Sequence, residues 1–360
     1  MSLRDKFYSL SVSDIEKITA DSIAITFAVP PELEDLFRLK QGQYLTLKTS
    51  ISGEQVRRPY SICSSALPGS DLQVAIKRVP DGLFSGWAHD HLDVGDTLDV
   101  MPPNGNFYND LSSQRKVKYC CIAAGSGITP ILSMIETTLH VEKFSQIVLL
   151  YGNKNENSIM FLENLSSLKN RFLDRLQVIH VLSREKADAE LLYGRLGGAK
   201  VVDILAKIGR GFEVDKFFIC GPNDMSIDIE STLLKSFSPD LILTESFGQT
   251  TGSRIPLNTS RLKDNILCLA TIRRDGREFD LEIDSSKEES VLDAAIRQGL
   301  DLPYSCKAGA CSTCRGFLLE GEVSMKNSYS LTDGLLESGY LLTCQAFPLT
   351  KKIKIDMDRK

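Results

Sequence analysis

The sequence predicts three domains in order: an antiparallel β-barrel, an α/β domain built on a parallel sheet, and a small α+β domain. Three observations predict this. Residues 1–110 read as short β segments broken by turns, with little helical period. From about residue 116, continuous apolar runs alternate with helical segments. A polar stretch with Gly and Pro but no period, "GQTTGSRIPLNTSRLKD" (248–264), then separates that pattern from a hairpin, a short helix and further strands. At 360 residues the chain exceeds one ordinary core. The expected boundaries are 1–110, 111–250, a linker at 251–264, and 265–360.

In the first domain, "SIAITFAV", "GQYLTLKTS", "DLQVAIKRV" and "DTLDVMPP" carry β-branched or alternating apolar residues, and "FSGWAHDHL" is the one helical candidate. In the second, "VKYCCIAAG" has the nearly unbroken apolar character of a strand buried on both faces of a parallel sheet. "TPILSMIETTLH" follows as a helix, with Thr129 expected to cap it and Pro130 to open it. The strands "QIVLLYG", "LQVIHVLS" and "KFFICGP" alternate with helices near "IMFLENLSSLKNRF" and "VVDILAKIG", which implies parallel βαβ units. In the third, "ILCLATIRRDGREFDLEI" is a hairpin around Asp275-Gly276. "SVLDAAIRQG" is a short helix, with Ser290 or Ser286 as cap and Gly299 as terminator, and "GFLLEGEV" and "GYLLTCQAF" supply more strands.

Composition narrows the function classes. A 42% hydrophobic and 25% charged chain is globular, and a net charge of -5 leaves no basic footprint for nucleic acid. No apolar run approaches the roughly 20 residues of a membrane span, and the N-terminus lacks the layout of a secretory signal, so a cytoplasmic protein is expected. Nine cysteines are an odd number, and five of them (Cys63, Cys120, Cys121, Cys220, Cys268) are scattered or in apolar runs, unlike a secreted disulfide framework.

The other four are different. "YSCKAGACSTC" places Cys306, Cys311 and Cys314 as C-x4-C-x2-C, and Cys344 follows after "GYLLT". That is the plant-type [2Fe–2S] spacing. Gly309 permits a backbone conformation that a Cβ would hinder, and Ala308, Ala310 and Ser312 keep bulk away from inorganic sulfide. Structural zinc prefers paired knuckles or a His pair, and a disulfide conflicts with a reducing compartment.

Two further signatures precede the cysteines. Arg58-Pro59-Tyr60-Ser61 on a barrel strand offers a cation, a flat aromatic ring and a hydroxyl donor, as a flavin requires; alone it also fits an edge strand with a surface Arg. Lys77 precedes a turn whose amides at Leu83, Phe84 and Ser85, with the Ser85 hydroxyl, suit phosphate oxygens. "AAGSGITP" joins a buried strand to a helix N-terminus, so Gly125, Ser126, Gly127, Ile128, Thr129 and Pro130 can take a pyrophosphate, although Pro130 replaces the last glycine of the dinucleotide fingerprint. Cys220, with Gly221 and Pro222, is either a buried structural thiol or a small group beside a nicotinamide; its place after the other motifs favours the second. Ser183 and Arg184 sit at a strand's carboxyl edge and suit a 2′-phosphate, hence NADPH, with NADH possible.

Taken in order, Arg58-Pro59-Tyr60-Ser61, Gly125 to Pro130, Cys220-Gly221-Pro222 and the four cysteines resemble the ferredoxin–NADP reductase superfamily with a C-terminal plant-type ferredoxin. The resemblance covers nearly the whole chain and implies a β-grasp third domain, FAD in the barrel with Tyr60 against the flavin and Ser61 near N5, and catalytic roles for Tyr60, Ser61 and Cys220. It also implies a 2′-phosphate on Ser183 and Arg184, and Phe247 of "TESFG" shielding the ring. The expected chemistry takes electrons in pairs from NADPH and delivers them singly through FAD and the [2Fe–2S] cluster. The recipient on this resemblance is an oxygenase, that of phenylacetyl-CoA 1,2-epoxidation in phenylacetate catabolism; steroid or aromatic-ring oxygenases, or a stand-alone redox sensor or carrier, are the alternatives.

Overall fold

The structure is a computed structural model that describes residues 3–186, 189–208, 213–247 and 267–359. The expected linker at 251–264 lies outside the described residues.

The first sheet contains β1 (Tyr8–Thr19), β2 (Ser22–Ala28), β3 (Tyr44–Ile51), β4 (Glu54–Ser61), β5 (Leu72–Lys77) and β6 (Thr97–Asn104), with single-turn α1 (Glu34–Phe37) and α2 (Leu83–His91) between strands. Its order is β4-β3-β6-β1-β2-β5. The two edges meet just past β4, where Ile62 bridges Val74 and the Cys63 amide donates to Gln73 O at 2.9 Å. Closure removes the free edges and makes a barrel. Inward residues Leu10, Ile25, Leu45, Leu47, Ile62, Val74, Ile76 and Val100 are fully buried, each contributing about 1.5–3 kcal/mol of apolar transfer.

The second sheet is parallel: β7 (Lys118–Ala124), β8 (Gln146–Asn153), β9 (Leu176–Leu182), β10 (Lys216–Pro222) and β11 (Ile242–Phe247), in the order β11-β10-β7-β8-β9. Helices α3 (Ile128–Val141), α4 (Leu162–Arg171), α5 (Gly198–Ile208) and α6 (Asn223–Leu233) connect the strands. The apolar run of β7 serves two cores by alternation. Tyr119, Cys121 and Ala123 pack with α3 and α4, and Cys120 and Ile122 pack with α5 and α6. From β7 the chain first builds outward through β8 and β9, then crosses to β10 and β11 on the other side. The carboxyl ends of β7 and β10 therefore flank a topological switch point, where such sheets bind ligands. Residues 7–56 and 60–248 form one compact unit.

Beyond the linker come β12 (Leu267–Arg274), β13 (Arg277–Asp284), α7 (Val291–Arg297), β14 (Arg315–Glu320), β15 (Val323–Met325), α8 (Asp333–Glu337), β16 (Tyr340–Leu342), β17 (Ala346–Pro348) and β18 (Lys352–Asp356). The mixed sheet has the order β13-β12-β18-β14-β16, with β12 and β18 parallel, and β15 pairs with β17. Val291, Leu292, Ala294 and Ala295 of α7 pack with Ala270, Ile272, Leu281, Ile283, Ile353 and Ile355 of the sheet, the β-grasp arrangement. Asp275 and Gly276 turn the hairpin with φ of 53° and 72°, and the Asp358 carboxylate accepts from both their amides at 2.7 and 2.9 Å. Ser290 caps α7, accepting from the Asp293 amide at 3.1 Å.

Three sequence expectations change. Thr129 does not cap α3: a 3-10 turn at Gly125–Gly127 leads into the helix, and the Thr129 hydroxyl donates back to Ser126 O at 3.0 Å. Pro130 is accordingly the third helical residue, still within the turn where its missing N–H costs nothing. "GYLLTCQAF" is not one strand, because the chain breaks after Leu342 and Cys344 lies between β16 and β17. Among the described residues, no helix is long and apolar enough to cross a membrane.

Candidate functional site

The barrel end of the site lies on β4 and the start of α2. The Tyr60 ring is half-buried against Phe84, with centroids 5.5 Å apart, and Phe84 meets Trp87 edge-on at 5.7 Å. Arg58, two residues back on the same strand face, is exposed, and its guanidinium donates to the Arg57 carbonyl at 2.8 Å. Pro59 between them is half-buried. Lys77 is held by Asp21 at 3.3 Å. The Ser85 hydroxyl, read from sequence as a phosphate donor, is committed to its own turn: it accepts from the Val79 amide at 3.1 Å and donates to Gly82 O at 3.3 Å. The open donors here are backbone amides. The first bond along α2 runs from Gly86 N to Gly82 O, which leaves the N–H groups of Leu83, Phe84 and Ser85 at a positive helix end.

A second cluster of expected site residues forms where two loops touch. Gly127, in the turn after β7, abuts the end of β10 so closely that a Cβ there would fall on the Cys220 carbonyl and 2.8 Å from Gly221 Cα. Only glycine allows that approach, so "GSGITP" and "ICGP" are brought together at the switch point. Cys220 is fully buried, and burial, with Glu245 next, pushes its thiol well above the ordinary value. It is a neutral thiol. Ser61 is buried and its hydroxyl donates to Glu245 Oε2 at 3.3 Å. Glu245 lies beside Cys220 in the β10–β11 register, and burial pushes its carboxyl up to about 7 despite the Ser61 bond.

Glu245 is the residue the sequence reading missed as a functional group. "TESFG" drew attention only for Phe247, which ends β11 and whose side chain lies outside the described residues. The available signal was an acidic residue in a short strand that opens with Ile242 and Leu243. At the other end of the crevice, Ser183 and Arg184 follow β9, and their amides donate to Asn153 O and Lys154 O at 2.9 and 2.8 Å. Arg184 is exposed and Ser183 half-buried.

The cysteine loop is held from outside. Gly309 has φ 79°, and a Cβ there would meet Asn327 O at 2.8 Å. The Ser330 amide donates to Gly309 O at 3.1 Å, and Gln345 Nε2 to Lys307 O at 2.8 Å. The amide and hydroxyl of Thr343 both donate to Cys314 O, at 3.0 and 3.1 Å, which ties the fourth cysteine's segment to the loop. Inside, the sulfurs face each other in two pairs, Cys306 with Cys311 and Cys314 with Cys344. The Cys311 thiol, then the amides of Ala308, Ala310 and Cys311, hold Cys306 down at about 6 against burial. Two sulfur pairs with inward amides fit a two-iron cluster. Cys314 and Cys344 are buried, and Cys306 and Cys311 are partly exposed.

The three domains match known families. Residues 9–108 match the family model for the oxidoreductase FAD-binding domain, residues 121–231 that for the oxidoreductase NAD-binding domain, and residues 272–349 that for the 2Fe-2S iron-sulfur cluster binding domain. The chain is 43% identical, over 98% of both lengths, to a component of the 1,2-phenylacetyl-CoA epoxidase of Escherichia coli K12. It is 33% identical, over 96% of both, to the ferredoxin reductase component of 3-ketosteroid-9-alpha-monooxygenase of Rhodococcus rhodochrous. In fold it matches phthalate dioxygenase reductase with a TM-score of 0.62, at 22% identity and over 98% of both chains. The protein is therefore an oxidoreductase that uses FAD, a nicotinamide dinucleotide and a [2Fe–2S] cluster, and it belongs to the ferredoxin–NADP reductase superfamily, in the group that ends in a plant-type ferredoxin domain.

Proposed function

We propose that the protein is a cytoplasmic reductase component that draws on NADPH and passes single electrons to an oxygenase, the phenylacetyl-CoA 1,2-epoxidase of phenylacetate catabolism. Together, the three bound groups supply hydride donation, separation of an electron pair and one-electron delivery. The residues supply place and charge. The Leu83, Phe84 and Ser85 amides, with Arg58 and Lys77, hold the FAD phosphates; Pro59 sets the strand between Arg58 and Tyr60, and Tyr60 covers the flavin. Gly125 to Pro130 hold the dinucleotide pyrophosphate on the α3 terminus, and Cys220, Gly221 and Pro222 leave room for the nicotinamide. Ser61 and Glu245 stand where a proton is exchanged beside it, Ser183 and Arg184 take the 2′-phosphate, and Phe247 shields the ring. Cys306, Cys311, Cys314 and Cys344 hold the iron.

The observation that carries this reading is the 43% identity along 98% of both chains to a component of a phenylacetyl-CoA epoxidase. The steroid monooxygenase reductase, at 33%, is the second candidate. The test is reconstitution. The purified protein is added to the other components of the epoxidase with phenylacetyl-CoA, O2 and either nicotinamide. Epoxide formation supported by NADPH, and less well by NADH, is the expected result. Failure of the epoxidase to accept electrons from a chain that reduces cytochrome c would move the partner to another oxygenase.

A further inference from the structure

Gln345 is buried directly after the fourth cysteine of the iron–sulfur domain, and its side-chain amide is spent on backbone carbonyls of the cysteine segments. Its Nε2 donates to Lys307 O at 2.8 Å and to Cys344 O at 3.1 Å. Its own backbone is fixed as well: its N–H donates to Leu342 O at 2.9 Å, and its carbonyl accepts from the Lys326 amide at 3.1 Å. A tether between the two cysteine segments is already supplied by Thr343, whose amide and hydroxyl both hold Cys314 O. Gln345 therefore calls for a second reason to be polar and buried.

The reason lies in the peptide group that it grips. Lys307 C=O and Ala308 N–H belong to one trans peptide unit, so they point in opposite directions. Fixing the carbonyl toward Gln345 aims the N–H the other way, and the Ala308 amide donates to Cys306 Sγ at 3.3 Å. Lys307 needs such a hold, because its φ of 53° is left-handed, a conformation that is costly for a residue with a Cβ. Its side chain offers little: Lys307 Nζ meets Asp293 at 2.9 Å on the exposed surface, where an ion pair contributes little. The arrangement repeats two residues on. Gly309 O accepts from the Ser330 amide and hydroxyl, each at 3.1 Å, and the Ala310 N–H on the far side of that peptide also donates to Cys306. Two carbonyls gripped from outside thus present two amides to one sulfur.

We infer that Gln345 is a positioning residue for one-electron transfer, with Ser330 in a lesser part: by gripping the Lys307 carbonyl it keeps the Ala308 N–H on the Cys306 sulfur, and so raises the reduction potential of the [2Fe–2S] cluster. An amide donor stabilises the more negative, reduced cluster more than the oxidised one. The inference rests on the four cysteines holding that cluster.

The test compares wild type, Gln345→Met (similar in length, without the donor) and Ser330→Ala, each as the FAD- and iron-loaded chain. Cluster and flavin midpoints are read in one anaerobic redox titration, by electron paramagnetic resonance and absorbance, beside iron content and melting temperature. A hydrogen bond of ordinary net strength corresponds to about three- to tenfold in an equilibrium. The one-electron midpoint of the cluster should therefore fall in Gln345→Met by about 30–60 mV, at about 59 mV per tenfold, with the flavin midpoint unchanged. Ser330→Ala, which keeps the amide bond to Gly309 O, should show a smaller fall. A merely structural Gln345 would lower the melting temperature or iron content and leave the midpoint in place; that result overturns the inference, as does a rise. If Gln345→Met assembles no cluster, Ser330→Ala decides alone: a fall supports the inference and an unshifted midpoint overturns it. Wild type without a [2Fe–2S] signal would overturn the cluster assignment itself, and the inference with it.

Discussion

The chain places the same side chain in two opposite environments. At Cys306, a neighbouring thiol and three backbone amides favour a thiolate, and its pKa is held at about 6. At Cys220, burial and the nearby Glu245 favour the neutral form, and the thiol is pushed well above its ordinary value. The first environment suits a metal ligand, which must be deprotonated. The second keeps the sulfur an uncharged, buried thiol at the end of β10. The amino-acid type therefore says little by itself: the neighbouring Cys311 thiol, then the loop amides, hold Cys306 down, while Cys311 and Cys314 in the same loop are pushed up, as Cys220 is.

The largest expected effect comes from breaking the first environment. Cys311→Ser should abolish electron delivery to any one-electron protein acceptor, because the sulfur pair with Cys306 is lost. Flavin bleaching by NADPH should persist, and anaerobic stopped-flow absorbance separates the two. A smaller effect attacks the second environment through its neighbour. Gly127→Ala drives a Cβ into the Cys220–Gly221 backbone, and such overpacking costs about 1–3 kcal/mol. NADP+ affinity should fall about tenfold or more, read by titration, with the cluster spectrum unchanged.

The smallest effect concerns the proton beside Cys220. Burial raises Glu245 to about 7, above the ordinary carboxylate value of 4.5, so the folded state keeps a proton that the unfolded state releases. The stability this contributes is present at low pH, declines as pH rises from about 4.5, and is gone above about 7. In Glu245→Gln that decline should vanish from the difference in unfolding midpoints between pH 5 and 8. The pH profile of flavin reduction should lose its inflection near 7.

The same contrast explains what the sequence revealed. The iron–sulfur domain was legible because Cys306, Cys311 and Cys314 lie within nine residues, in one loop whose small neighbours are themselves the signal. The crevice at the switch point draws on the ends of β7, β10 and β11, so each piece alone was a short, ambiguous motif, and Glu245 acquires meaning only when the sheet aligns it with Cys220. β1 escaped the reading because a register shift between Val12 and Asp14 interrupts its alternation, and only Leu10 and Val12 are buried. β11, "ILTESF", has no apolar run, and α6, "NDMSIDIESTL", offers only a sparse stripe through Ile229 and Leu233. The strong strands of the parallel sheet were plain because both their faces are buried. Thr129 was misread as a cap because the 3-10 turn at Gly125–Gly127 starts the helical path earlier than the capping pattern suggests.

That electrons enter as a pair from the nicotinamide at the flavin and leave singly through the [2Fe–2S] cluster is the claim on which the rest depends. Anaerobic addition of NADPH to the purified protein, followed by electron paramagnetic resonance and by assays for FAD, iron and acid-labile sulfide, tests it most directly. The account predicts one FAD, two iron and two acid-labile sulfide per chain, and a reduced [2Fe–2S] signal driven by NADPH alone. Zinc in place of iron, or a cluster that dithionite reduces and NADPH does not, would contradict it.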